Sequence, residues 1–190
     1  MGQLQQEIFA SKYELDDFDV ADELALSSGD IGVIDIANGN WNGLVDVIHQ
    51  ICEKEGNPTV LGSAVDVLRG VEKLYRDKTG LDTETMFLRA GEIDVYKKES
   101  AEWLEEKTER GKKLHFDPTR EVVKFCTVHS YKGFESETII AIISPSASKT
   151  EEEIIYTALT RACTNLFIIN FGKTKYGSRL KKIFGSLDMI

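Results

Sequence analysis

Three cysteines in 190 residues, with no Cys-x-x-Cys spacing, are too few and too odd for a disulfide framework or a zinc knuckle. Cys52, Cys126 and Cys163 each sit in an apolar stretch and are expected as buried thiols in a reducing compartment. Long hydrophobic runs are also missing. The longest purely apolar one is Ile139 to Ile143, far short of the ~20 residues a membrane span needs. The opening Met1-Gly2-Gln3-Leu4-Gln5-Gln6-Glu7 has neither the positive nor the apolar region of a signal peptide. Gln6 stands where a myristoylation signal has Ser or Thr. The expectation is a cytoplasmic protein without a membrane partner. Positive charge is scarce as well. With 23 Lys+Arg against 32 Asp+Glu the net charge is −9, which opposes a chain-wide electrostatic grip on nucleic acid or anionic lipid and leaves room for a local basic groove.

Phosphate-binding loops are absent too. No G-x-x-x-x-G-K-[ST] occurs. Gly172-Lys173-Thr174 has the tail of one, but Phe167 holds the place of the leading glycine, inside an expected strand. Without that glycine the loop cannot turn its amides onto a phosphate. No G-x-G-x-x-G occurs either, so no self-sufficient nucleotide site is legible. Metal ligation is not expected: His49 lies on an apolar helical stripe and His115 in a charged connection. Asp16-Asp17 precedes the first credible strand and reads as a solvated acidic loop, not as a phosphoacceptor.

The length predicts one domain. Residues 1–30 form an irregular acidic segment, with seven acids and no base between Glu14 and Asp30. A regular alternation then fills 31–190. Ile31 to Ile36 reads as a strand. Leu44, Val47, Ile48, Ile51 and Cys52 follow helical spacing up to Gly56. Thr59 to Leu61 is a short buried strand, and Ala64 to Tyr75 a second amphipathic helix stopped by Gly80. Thr85 to Leu88 reads as a further strand. A short charged insert follows at about 90–115, with an exposed helix around Trp103 and Leu104. Val122 to Cys126 and Thr138 to Ile143 are strands, the second nearly all β-branched, as for a strand covered on both faces. Thr150 and Glu153 form a capping box that opens a helix. Asn165 to Phe171 is a strand, and a helix from about Lys173 to Phe184 ends the chain. The fold class is α/β: a mostly parallel sheet with helices on both faces.

Two segments of the last third carry the chemistry. Cys126 to Glu135, C-T-V-H-S-Y-K-G-F-E, reads as a strand emptying into a polar loop. It presents hydroxyls, an imidazole, an ammonium, a permissive glycine and a carboxylate, expected together at the carboxyl edge of the sheet, where open α/β sheets place ligands. Glu151 to Ala162, E-E-E-I-I-Y-T-A-L-T-R-A, reads as a helix with Ile155, Ala158, Leu159 and Ala162 inward and Arg161 on the flank. An arginine held beside a core is well placed to reach a phosphate across an interface. An ordinary surface arginine and a strand-end turn are the plain alternatives.

Together, T-x-H-S-x-K-G-x-E and E-E-x-x-x-Y-x-A-x-T-R-A resemble motifs V and VI of the UvrD/Rep-like superfamily I helicases. The specific match covers Val122 to Asn170, and a weaker pattern extends it over Ile31 to Asp77. The resemblance implies a second, C-terminal RecA-like domain of P-loop NTPase type without a Walker loop of its own. It implies ATP and Mg2+ bound only between this domain and a missing N-terminal RecA-like domain. Arg161 is implied as the catalytic arginine finger. Gly133, Glu135 and Lys132 are implied at the ATP, although Lys132 could serve either ligand. Thr127, His129 and Ser130 are implied at single-stranded DNA, and Tyr156 as a residue that packs or couples the two sites. The sequence departs from the family where Glu153 and Ile154 replace a common arginine, and where Lys12-Tyr13-Glu14 is a poor substitute for motif IV. The expected function is half of an ATP-dependent DNA helicase or translocase, inactive alone. The alternative is a degenerate helicase-like module that binds single-stranded nucleic acid or a protein without ATP, for which the basic run Lys173–Lys182 would matter more.

Overall fold

The computed structural model describes residues 30–93, 108, 110–145, 151–172, 174 and 176–187, with only the backbone described at 151–154 and 183. The acidic segment 1–29, the proposed helix around Trp103 and Leu104, and the Thr150 cap lie outside the described residues.

Strands β1 (Ile31–Ile36), β2 (Thr59–Gly62), β3 (Thr83–Thr85), β4 (Val123–Thr127), β5 (Ser136–Ile143) and β6 (Ala162–Phe171) form one sheet in the order β1-β6-β5-β2-β4-β3. Every pairing between these strands is parallel. Helices α1 (Trp41–Glu55), α2 (Val65–Thr79), α3 (Glu151–Leu159) and α4 (Gly177–Phe184) cover it. From β1 to β3 the chain advances across the sheet, and from β4 to β6 it returns. Right-handed crossovers then place the helices of the two halves on opposite faces. One core sets Leu44, Ile48, Ile51, Leu68, Val71 and Tyr75 of α1 and α2 against the face carrying Val60, Phe125 and Ile140. The other sets Ile155, Ala158, Leu159 and Leu180 of α3 and α4 against Leu61, Cys126, Ile139 and Leu166. Neighbouring strand residues alternate between the two cores, as the strand period of two requires.

Both early helices end where their sequences predict, α1 before Gly56 and α2 before Gly80. Asn40 accepts a hydrogen bond from the Gly43 N–H at the start of α1. Gly80, at φ 69°, closes α2 in the left-handed conformation.

Four expectations shift. β3 occupies Thr83–Thr85, ahead of the expected Thr85 to Leu88. The Thr85 hydroxyl donates to the Phe87 carbonyl and bends the chain, so Met86, Phe87 and Leu88 are buried as a turn. α4 begins at Gly177, not near Lys173. Gly172, at φ 85°, turns the chain, and the Asn170 side chain accepts from both the N–H and the hydroxyl of Thr174. α3 ends at Leu159, so Arg161 lies in the following turn and Ala162 opens β6. Sheet pairing captures these residues, because Ala162 faces Ser136 across the β5–β6 ladder. Finally, Cys126 is buried and Cys52 half-buried, but Cys163 is exposed at the start of β6.

The two sheet edges are short or covered. β3 has only three residues. Along β1, the Val33 N–H donates to the Gly185 carbonyl at 3.1 Å and the Leu187 N–H to the Val33 carbonyl at 3.0 Å. Gly32 makes room for this strap, since a Cβ there would stand 2.2 Å from Leu187 Cγ.

Candidate functional site

All strands run parallel, so the sheet has one carboxyl rim and one amino rim. The segment expected to gather at the carboxyl rim is divided between them. Thr127 ends β4 at the carboxyl rim, whereas Ser136 begins β5 at the amino rim. Residues 128–135 therefore cross the sheet from rim to rim, over β2, without a helix. The expectation that Glu135 shares an edge with Thr127 is corrected by the parallel pairing of β2 with both β4 and β5.

At the carboxyl rim the Thr127 hydroxyl donates to Ser130 Oγ at 2.9 Å and accepts from the Ser130 N–H at 3.2 Å. The Tyr131 N–H donates to the Thr127 carbonyl at 3.0 Å. This is a compact strand-end turn, and it leaves His129 exposed above it. Lys132 and Gly133 are exposed farther along the crossover. Gly133 has φ 94°, and a Cβ added there would meet no atom within 4 Å, so its glycine character serves backbone conformation and not a close contact.

Tyr131, which sequence reasoning passed over, holds this crossover down. Its ring is 1% exposed and packs edge-on to Phe116 and tilted against Phe134. Its hydroxyl donates to the Glu135 carbonyl at 3.0 Å and lies 3.5 Å from Thr59 Oγ1. Burial pushes the phenol above its ordinary pKa, against the opposing hydrogen bond from Thr59.

At the amino rim Glu135 and Arg161 each stand one residue before the paired Ser136 and Ala162. The Ser136 N–H donates to the Arg161 carbonyl at 3.0 Å. Arg161 is half-buried, and its Nε donates to the Thr157 carbonyl at 3.3 Å. Glu135 is exposed, with Cys163 Sγ 3.8 Å from its Oε2. Burial, then the Glu135 charge, raises the Cys163 thiol pKa. Tyr156 is half-buried against the α3–α4 core, on the same helix that leads to Arg161.

The rim also carries an open polar pocket bordered by Glu55, Arg120, Glu121, Lys124, Glu135 and Glu137. Lys124 is only 6% exposed, and its Nζ donates to the Arg120 carbonyl at 2.7 Å and the Val122 carbonyl at 3.2 Å. Burial pulls its ammonium below the usual range. Among the described residues, no three His, Cys, Asp or Glu side chains are placed to hold a metal ion.

A second buried polar cluster escaped the sequence reading. Glu72 is 1% exposed and accepts from Thr83 Oγ1 at 2.5 Å and Arg89 Nε at 2.8 Å, with Arg76 Nε at 2.7 Å. The signal was present: Glu72 falls on the α2 stripe of Leu68, Val71 and Tyr75. The cluster ties α2 to β3 and to the turn after it, away from both rims' candidate residues.

No helix among the described residues is long and apolar enough to cross a membrane. No protein-family model and no curated protein matches the chain. Among solved structures, the C-terminal domain of a possible DNA helicase from Lactobacillus plantarum WCFS1 is similar to it, with a TM-score of 0.54 over 82% of this chain and 84% of that one. The two share 13% identity, a level at which the likeness speaks for the fold. The chain has an α/β, RecA-like fold of the kind seen in that helicase domain.

Proposed function

We propose that the chain is the second RecA-like domain of an ATP-dependent DNA helicase or translocase of the UvrD/Rep-like kind. Arg161 is its arginine finger, and Glu135, with Gly133 and Lys132 on the crossover leading to it, serves the nucleotide. The observation that carries this reading is the shared position of Arg161 and Glu135 at the head of neighbouring strands, joined by the Ser136–Arg161 hydrogen bond.

The guanidinium stays charged at every working pH and offers a planar fork to phosphate oxygens. Its Nε contact with Thr157 fixes its direction. The same rim bears Glu121 and Glu137, which repel an isolated polyphosphate. Magnesium-bound ATP is therefore brought by a Walker-bearing domain, whose own cations offset those acids. Charge that develops on the transferred phosphoryl group is then met by Arg161, a contribution of ~10³–10⁵ in rate where such fingers have been dissected.

Thr127, His129 and Ser130 face single-stranded DNA at the opposite rim. Among the described residues of that rim, Asp35 pairs with Lys181, Asp66 with Arg69 and Glu92 with Lys112.

ATP hydrolysis measured with and without a Walker-bearing RecA-like domain tests the reading. The chain alone is expected to be inactive, and the pair to turn over ATP. Arg161→Ala is expected to lower kcat of the pair by ~10³-fold or more. Full activity of that variant overturns the assignment. The acidic amino rim favours a second reading, a module that binds single-stranded nucleic acid without ATP. Its signature is salt-sensitive binding that is indifferent to nucleotide and to a partner domain.

A further inference from the structure

We propose that Trp41 is a base-stacking residue that carries the single-strand path across the whole carboxyl rim. The inference rests on the assignment of that rim to nucleic acid and adds a subsite at its far end.

Trp41 is the first residue of α1, directly beyond the carboxyl end of β1. It is 38% exposed. One side of its indole rests on Phe171, with ring centroids 4.9 Å apart and an interplanar angle of 52°. Phe171 is 3% exposed and closes β6. The indole is thus backed by the core and open to solvent, the arrangement of a platform for a nucleobase. Among the described residues, the other exposed large apolar side chains, Leu81 and Leu114, have no aromatic face.

Thr127 and Trp41 follow β4 and β1, which are four strand spacings apart. At about 4.8 Å per spacing the two ends lie about 19 Å apart. That distance takes roughly six nucleotides at the ~3.4 Å rise of a stacked strand. The α1 N-terminus also points its positive end to this rim.

The test uses the full chain carrying Trp103→Phe, which makes Trp41 the sole tryptophan of the two in the sequence. Addition of dT12 is expected to quench its emission saturably, and dT3, too short to reach from Thr127, to bind at least tenfold more weakly. Trp41→Leu keeps an apolar contact with Phe171 and is expected to lower dT12 affinity about tenfold, whereas Trp41→Phe stays within about threefold of the parent. Circular dichroism confirms that each variant is folded. If labelled dT12 binds, weakens with Thr127→Ala/His129→Ala, and ignores Trp41→Leu, the stacking inference is overturned and the rim assignment stands. If no oligonucleotide binds the parent chain, both fall.

Discussion

The hydroxyl of Tyr131 donates to the Glu135 carbonyl at 3.0 Å, while its own backbone N–H donates to the Thr127 carbonyl at 3.0 Å. One residue therefore touches both ends of the crossover, and the two candidate surfaces are separated by little more than a tyrosine ring. Tyr131→Phe keeps the ring and removes the tether to Glu135. It is expected to lower the unfolding free energy by about 1 kcal/mol, read from urea titration with an unchanged m value. In the reconstituted pair, stimulation of ATP hydrolysis by DNA is expected to fall more than the basal rate.

Glu72 is a carboxylate at 1% exposure, with Arg89, Arg76 and Thr83 around it. Removing it takes the shared carboxylate away from Arg76 and Arg89, whose side chains are 36% and 24% exposed, and from the Thr83 hydroxyl. Glu72→Ala is expected to cost about 1–3 kcal/mol, and Glu72→Gln less, because an amide oxygen still accepts from Thr83 or Arg89. Equilibrium unfolding distinguishes the two, and a cost below about 1 kcal/mol for the alanine variant would refute the cluster's structural role.

The three thiols differ in access and in acidity. Burial pushes Cys126 up to about 12 and Cys52 up to about 11, while Cys163 is exposed. Thiolate is the reactive form. A thiol reagent at pH 8 is therefore expected to modify Cys163 first and to reach the other two only in denaturant. Glu135→Gln is expected to speed labelling of Cys163, because it removes a neighbouring negative charge that raises its pKa. Peptide mapping by mass spectrometry reads both outcomes.

Asp82 lies below its usual carboxyl range. The Thr83 N–H that donates to it is the first cause, burial opposes, and Arg120 reinforces the shift. A depressed folded pKa contributes stability above the unfolded value, near 3.8, and loses it as pH falls through the folded value. Asp82→Asn is expected to flatten the acid limb of the stability curve below about pH 4, with no gain at pH 7. The Asp82–Arg120 pair is exposed, so the effect stays below about 1 kcal/mol.

Most of the fold was legible because it is written in periodicity. Val60, Phe125 and Ile140 belong to strands whose residues are apolar on both faces, and Gly56 and Gly80 stop helices in plain view. What escaped were choices made by pairing between distant segments. Nothing local in Thr160-Arg161-Ala162 says that the helix ends before the arginine, because the β5 strand decides that. Position on a rim is likewise not local. Thr127 and Glu135 are eight residues apart in sequence, and the parallel pairing of β4 and β5 with β2 sends them to opposite ends of the sheet. Tyr131 and Glu72 were hidden for another reason: each is a polar residue whose partner is a backbone group or a side chain brought close by the fold.

The strap of Gly185 to Leu187 along β1 has one more consequence. By occupying the backbone groups of Val33, it removes a template on which another copy's strand could dock, and the three-residue β3 offers little at the opposite border. Trimming the chain before Gly185 would bare the longer border and leave the shortened protein prone to sheet-to-sheet polymerisation.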